Sequence, residues 1–279
     1  MTLSTSNIWL YWFMETFDLL ISTILLRPYV FILLGLYFLA GSLQLGLKRI
    51  VVFTILAYVI AFISEYSSTR IGIPYGYYYY TGETHGKELY ISNVPFMDSL
   101  SYSFLGYFSY SLALLMVSPI TREGCRLELP NTPWYSKKAL FLSTVLFVIQ
   151  DVLIDPVSLR GSKWFLGQIY YYPEKGIYFG VPLSNFLGWF MVGFAIIYCF
   201  QKLDQKMGWS MECARNALMG PSLYFINMIF ILSVTFYIGE YLMGMISLSI
   251  FSLLFSIAIL KIRHALTQPG RAPLDKGTS

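Results

Sequence analysis

Residues 28–47 read PYVFILLGLYFLAGSLQLGL, an uncharged run that opens on a proline, and its length decides the fold class. A helix needs about 20 apolar residues to cross a bilayer. Proline suits the first helical turn, where the N–H it lacks has no partner anyway. Comparable runs recur on both sides: 8–26 (interrupted by Glu15 and Asp18), 50–64, 99–120, 139–150, 185–200, 218–238 and 241–260. The chain therefore reads as an all-α integral membrane protein, a bundle of eight transmembrane helices, or seven if 8–26 lies along the interface. Composition agrees. Charged residues make up 12% of the 279 and hydrophobic ones 56%, whereas soluble domains carry about 25% charged residues. Residues 1–266 read as a single multi-pass domain. Residues 267–279, with Gly270, Pro273 and Gly277, read as a disordered tail. The N-terminus shows no cleavable signal peptide.

Basic residues orient the bundle. Lys48 and Arg49 follow the second run; Arg122, Arg126, Lys137 and Lys138 follow the fourth. Lys202, Lys206 and Arg215 follow the sixth, and Lys261, Arg263, Arg271 and Lys276 the last. By the positive-inside rule this side is cytoplasmic. Both termini are then expected in the cytoplasm of a cell-membrane protein. Arg27, Arg70, Lys87, Arg160, Lys163 and Lys175 fall on the other side.

The acids concentrate on that other side. Glu65, Asp98, Asp151, Asp155 and Glu240 all sit at the non-cytoplasmic ends of their runs. An ionisable group at membrane depth is a functional candidate by default. Glu65 follows fifteen uncharged residues, and a protonated carboxyl in an apolar pocket is what a general acid needs. The plainer reading pairs it with Arg70 or leaves it among headgroups. Asp151 and Asp155 are four apart and share a helix face, which suits an acid/base pair or a metal site, although Asp155 precedes Pro156 and also reads as a helix end. Asp98 follows Pro95 at a helix start, where the dipole favours a carboxylate in any case. Glu15 and Asp18 share a face that either joins the site or meets water, and Glu240 reads as solvated.

An internal repeat is expected. A shift of 87 residues lays Val94 on Val181, Pro95 on Pro182, Asp98 on Asn185 and Gly106 on Gly193, and brings Glu65 within one residue of Asp151. The candidate units are about 50–120 and 138–203, and such repeats often place a site where the halves meet. Each unit carries a tyrosine run: Tyr75 with Tyr77, Tyr78, Tyr79 and Tyr80, and Tyr170, Tyr171 and Tyr172. Tyrosine favours membrane interfaces, but runs this dense exceed an ordinary belt. Aromatic faces attract positive charge, so a wall built from Tyr75, Tyr77, Tyr78, Tyr80 and Tyr171 suits a polyene or a carbocation.

Other chemistries are poorly provided for. Cys125, Cys199 and Cys213 show no CxxC spacing, which argues against a disulfide framework or thiolate metal site. Two histidines, His85 and His264, are too few and too far apart for an iron centre of the membrane-hydroxylase kind. No metal, no cofactor and no nucleic acid is expected; the lipid bilayer is the constant partner.

Two blocks resemble the membrane carotenoid-biosynthesis hydratases, which include γ-carotene 1′-hydratases and bisanhydrobacterioruberin hydratases. The first is Glu65, then residues 71–81 (IGIPYGYYYYT), then Val94-Pro95. The second is Asp151, Asp155-Pro156-Val157, Trp164, then residues 178–189 (YFGVPLSNFLGW). The resemblance covers about 50–200. The chain departs from it at Pro74-Tyr75-Gly76, where the family carries Pro-Phe-Gly, and in its longer tyrosine run. It implies addition of water across the terminal C1–C2 double bond of an acyclic ψ end group, without oxygen or redox cofactor. Lycopene, γ-carotene or a C50 precursor would be the substrate, and other carotenoid-pathway enzymes candidate partners. Glu65 would be the acid and Asp151 with Asp155 the water-positioning base, or the reverse, with Asp98 a further candidate. Trp164, Asn185 and Trp189 would join the tyrosines around the substrate. Two rivals stand beside this reading. One is a membrane prenyltransferase of the lycopene-elongase kind, with Asp151 and Asp155 as half of a magnesium–diphosphate site. The other is a carotenoid- or lipid-binding or transport protein whose buried acids carry protons.

Overall fold

The computed structural model describes residues 5–123, 126–130, 132–209, 213–214 and 216–267. It contains eight α-helices: α1 (Thr5–Leu26), α2 (Pro28–Leu45), α3 (Leu47–Ile71), α4 (Phe96–Val117), α5 (Lys137–Ser158), α6 (Leu183–Met207), α7 (Met219–Tyr237) and α8 (Tyr241–Thr267). Seven of them, α2 to α8, are long and apolar enough to cross a membrane. Helix α1, which carries Glu15 and Asp18, is not among these seven, and both acids are exposed. Of the expected tail, 267–279, Thr267 is the last residue of α8 and residues 268–279 lie outside the described residues.

Helix α4 is the axis of the bundle. It packs against α2, α3, α5, α6 and α7, and about four-fifths of its span is buried, against 22% for α8. Helix α8 lies at the edge, where Phe251 and Phe255 meet Phe225 of α7 edge-on and Leu242, Leu253 and Leu260 face outward. Outward-facing aliphatics are what a lipid-facing surface requires, since lipid tails are as apolar as leucine.

Two helices outrun their apolar stretches. Helix α3 continues to a left-handed Gly72 (φ 74°), so Glu65 lies within the helix and is buried. Helix α5 carries Pro156 inside it, so Asp155, a possible helix-end residue by sequence, is helical and buried as well. Both α4 and α6 begin directly after a Val-Pro pair, with extended Pro95 and Pro182 as their N-caps.

The connections are short ribbons. The tyrosine runs pair with each other as β1 (Tyr79–Tyr80) and β6 (Tyr170–Tyr171), antiparallel, with Tyr79 opposite Tyr171 and Tyr80 opposite Tyr170. Before α4 a two-stranded hairpin joins β2 (Tyr90–Ile91) to β3 (Val94–Pro95). At the opposite end of the bundle, strands β4 (Thr121–Glu123), β5 (Arg126–Pro130) and β7 (Cys213–Ala214) form a three-stranded sheet. Near it Arg49 Nε donates to Asp204 Oδ1 at 2.8 Å and the Tyr135 hydroxyl to Asp204 Oδ2 at 2.6 Å.

Candidate active site: three carboxyls in a tyrosine-walled cavity

The start of α2, the end of α3, the starts of α4 and α6, the end of α5 and the middle of α7 line a cavity at one end of the bundle. Glu65, Asp98 and Asp155 all line it, with Tyr75, Tyr78, Tyr80, Trp164, Asn185 and Trp189 of the expected residues. Tyr77 and Tyr171 do not line it; they are 53% and 41% exposed. The cause is the twofold alternation of an extended chain: with Tyr78 and Tyr80 turned inward, Tyr77 and Tyr79 must turn outward. By the same rule Tyr170 and Tyr172 line the cavity in place of Tyr171.

Glu65 is 4% exposed. The Ser99 hydroxyl donates to its Oε2, and the Tyr80 hydroxyl to its Oε1 at 3.3 Å. Arg70 turns away to Tyr66, Thr69, Ser92 and Asn93, so the expected alternative pairing of Glu65 with Arg70 is not formed.

Asp155 is held by three donors: the Tyr170 hydroxyl at Oδ1, and at Oδ2 the Tyr172 hydroxyl at 2.7 Å and Asn185 Nδ2 at 3.0 Å. The same Asn185 nitrogen donates to Asp151 Oδ2 at 2.8 Å. Asp151 thus stands one helical turn behind Asp155, fully buried, and its Oδ1 has no hydrogen-bond partner. A single amide ties the two carboxyls together, and only Asp155 reaches the cavity. Burial, with Asp155 alongside, pushes the Tyr170 and Tyr172 hydroxyls well above the ordinary phenol range; burial and Glu65 do the same for Tyr78 and Tyr80. All four stay protonated donors at any physiological pH.

Asp98 has a different setting. Arg27 pairs with it and, through Nε at 2.6 Å and Nη2 at 2.9 Å, with Glu88. Arg27 is 2% and Glu88 1% exposed. One cation so placed answers two acids and pins the 82–93 loop to the bundle, helped by a hydrogen bond from Leu89 N to Thr23 Oγ1 at 3.0 Å. Glu240 lies outside the cavity, 3.3 Å from Arg160 Nε and Lys163 Nζ.

The rest of the wall is aromatic and apolar. Trp189 stacks on Tyr102 with ring centroids 4.5 Å apart. Tyr29 stacks on Phe230 at 5.8 Å and Trp164 packs on Phe165 at 4.2 Å. Val30, Leu33, Phe104 and Ile231 also line the cavity. Gly188 allows this packing: a Cβ there would stand 2.5 Å from Tyr75 Cδ1 and 2.8 Å from the Pro74 carbonyl oxygen.

Sequence reasoning missed Arg27 as a site residue, along with Glu88, Ser99 and Tyr102. A cation between two long apolar runs was a signal for Arg27; the other three carried none. Among the described residues no group of three or more His, Cys, Asp and Glu is placed to hold a metal ion.

No curated protein and no solved structure matches the chain. Its family is nevertheless shown, because one family profile spans residues 19–254 and so takes in every helix that lines the cavity. A multi-span bundle that closes acids and aromatic rings around a buried cavity belongs to the carotenoid biosynthesis protein family.

Proposed function

We propose that the protein is a carotenoid hydratase, adding water across the terminal C1–C2 double bond of an acyclic ψ end group. The observation that carries this reading is the presence of two carboxyl groups, Glu65 and Asp155, in one aromatic cavity, each with its own donors. Hydration of an unactivated alkene needs an acid, a base for the water and a site that tolerates a cation. Glu65 gives its proton to C2, the π pair forms the new C–H bond and C1 becomes a tertiary cation. The ring faces of Tyr78, Tyr102 and Trp189 stabilise that charge. A water oxygen then bonds to C1 and passes a proton to Asp155, which Asn185 and Asp151 hold in place. The apolar lining at Leu33 and Phe104 takes the start of the polyene. No oxygen, redox partner or cofactor enters this balance.

The prenyltransferase reading is less well supported. A magnesium–diphosphate site needs carboxylate oxygens turned to a shared cation, and here the Asn185 amide occupies the position between Asp151 and Asp155. The distribution of Lys and Arg supports an orientation with the cavity at the non-cytoplasmic face and the C-terminus in the cytoplasm, where the N-terminus joins it with α1 as an eighth span. The start of α4 at Phe96 and of α6 at Leu183, 87 residues on, supports the reading of 50–120 and 138–203 as repeat units.

The test uses a lycopene-producing bacterium expressing the chain, grown without oxygen in isotope-labelled water, with pigments read by mass spectrometry. A pigment heavier by one water that carries the label is expected. If lycopene, γ-carotene and C50 precursors all return unchanged, the hydratase reading is wrong.

A further inference from the structure

Asn185 is the third residue of α6, is buried, and lines the cavity. Its Nδ2 carries two hydrogens, and both are used: one on Asp151 Oδ2 at 2.8 Å and one on Asp155 Oδ2 at 3.0 Å. Two acids on one side fix which way the amide faces, because carboxylate oxygens accept and only the nitrogen can donate to them. The carbonyl Oδ1 is therefore turned away from both. It forms no hydrogen bond among the described residues, and it is not one of the buried polar atoms shut off without a partner. The open space it meets is the cavity.

Asp155 keeps one acceptor place. Its Oδ2 takes the Tyr172 hydroxyl and the Asn185 amide, which fills both lone pairs, whereas its Oδ1 takes the Tyr170 hydroxyl alone. Two acceptors, Asp155 Oδ1 and Asn185 Oδ1, thus stand on side chains that a hydrogen bond already joins. A water that donates one proton to each has both lone pairs left for an electrophile. The third residue of α4 is Asp98, whose carboxylate is taken up by Arg27. A carboxylate at 185 could not donate to Asp151 and Asp155. An amide donates to both and still accepts.

We propose that Asn185 holds the attacking water by accepting a hydrogen bond from it at Oδ1, and so commits the carbocation to capture. The bonds balance. A water lone pair forms the C–O bond to C1, one water proton passes to Asp155, and the other stays on the new hydroxyl, still donated to Asn185. Without that hold the cation at C1 has a second course. A proton leaves an adjacent carbon for the Glu65 carboxylate, the C–H pair becomes a double bond, and the substrate or its terminal-methylene isomer returns. Asn185 is thus a catalytic residue that touches a reactant, in addition to supporting Asp155. The proposal rests on the hydratase reading.

The chain in lipid nanodiscs is given lycopene in deuterated water and sampled at low conversion, with product and recovered substrate read by mass spectrometry. The wild-type chain is expected to form hydrated product while the recovered lycopene stays free of deuterium. Asn185→Leu keeps the size of the side chain. Its hydration should fall about tenfold or more, since misplacing a reactant costs up to about 100-fold, while recovered lycopene and its terminal-methylene isomer gain deuterium. Tyr172→Phe removes a donor from the same Asp155 oxygen and leaves the amide, so its ratio of exchange to hydration should match the wild type even where both are slower. Deuterium entering wild-type substrate as fast as product forms overturns the proposal, whether or not the variant folds. An Asn185→Leu protein without exchange overturns it too, because that marks packing alone. A Tyr172→Phe protein with the same exchange as Asn185→Leu does so as well, because that marks lost support of Asp155. If the wild-type chain hydrates neither lycopene, γ-carotene nor a C50 precursor, the hydratase reading falls and this role of Asn185 falls with it; every other outcome bears on Asn185 alone.

Discussion

At the residue scale, the two cavity carboxyls that lie outside the Arg27 ion pairs, Glu65 and Asp155, differ in what holds them. Glu65 has hydroxyl donors only, from Ser99 and Tyr80, whereas Asp155 has two phenols and an amide. The better-solvated carboxyl is the one suited to remain a carboxylate and receive a proton. Glu65→Gln keeps the size of the side chain and cannot protonate C2; a fall in hydration rate of about 100-fold or more is expected, measured as product per mole of folded protein. Asp155→Asn should lose a similar factor. Asp151→Asn should lose less, because Asp151 acts on the cavity only through Asn185. Arg27 is a separate case. Removing it leaves the buried Glu88 and the partly exposed Asp98 without their cation, and breaking a buried pair costs about 3–5 kcal/mol. Arg27→Met is therefore expected to lower the melting temperature in detergent and to expose the 82–93 loop to protease, whereas Glu65→Gln should not.

At the scale of elements, the cavity depends on close approaches that only small residues permit. Gly188, in the second turn of α6, lies against Pro74 and Tyr75. Gly188→Ala pushes Tyr75 toward the cavity, and overpacking of this kind costs about 1–3 kcal/mol. A lower thermal midpoint together with weaker carotenoid retention would be the signature. The β1–β6 ribbon sets which tyrosines face inward. Tyr79 is 40% exposed and sits outside the cavity, so Tyr79→Phe should leave hydration within about twofold of wild type, as is usual for surface positions. The two Val-Pro pairs have a related role. Proline caps α4 and α6 and so sets the turn from which Ser99 and Asn185 reach the acids of the preceding helices and Asp98 reaches Arg27.

At the scale of the whole molecule, polar chemistry is divided between the two ends of the bundle. One end holds the cavity; the other holds the Arg49–Asp204 pair and the three-stranded sheet. Orientation in the bilayer can be read directly. In a background with Cys125, Cys199 and Cys213 replaced by Ser, a cysteine at Lys175 should react with a membrane-impermeant thiol reagent added to intact cells. One at Lys206 should react only after lysis. The reverse pattern would place the cavity on the cytoplasmic face.

What the sequence by itself determined was whatever depends on local composition and spacing. Runs of about 20 apolar residues can only be helices in lipid, because the backbone must satisfy its own hydrogen bonds there. The rarity of acids within those runs marked Glu65, Asp151 and Asp155 directly, and tyrosine runs beside Val-Pro marked the flanking loops. Tertiary structure decided what faces what. Strand alternation and the pairing of Tyr80 with Tyr170 turned Tyr77 and Tyr171 outward and brought Tyr170 and Tyr172 in. Helix order joined Arg27 to Glu88, 61 residues away, and Asn185 to Asp151, 34 residues away. Contacts at such separations leave no periodic trace in one sequence, since each partner alone is an ordinary polar residue at the end of a helix or in a loop. Their chemistry arises only when burial removes water and leaves them to satisfy one another.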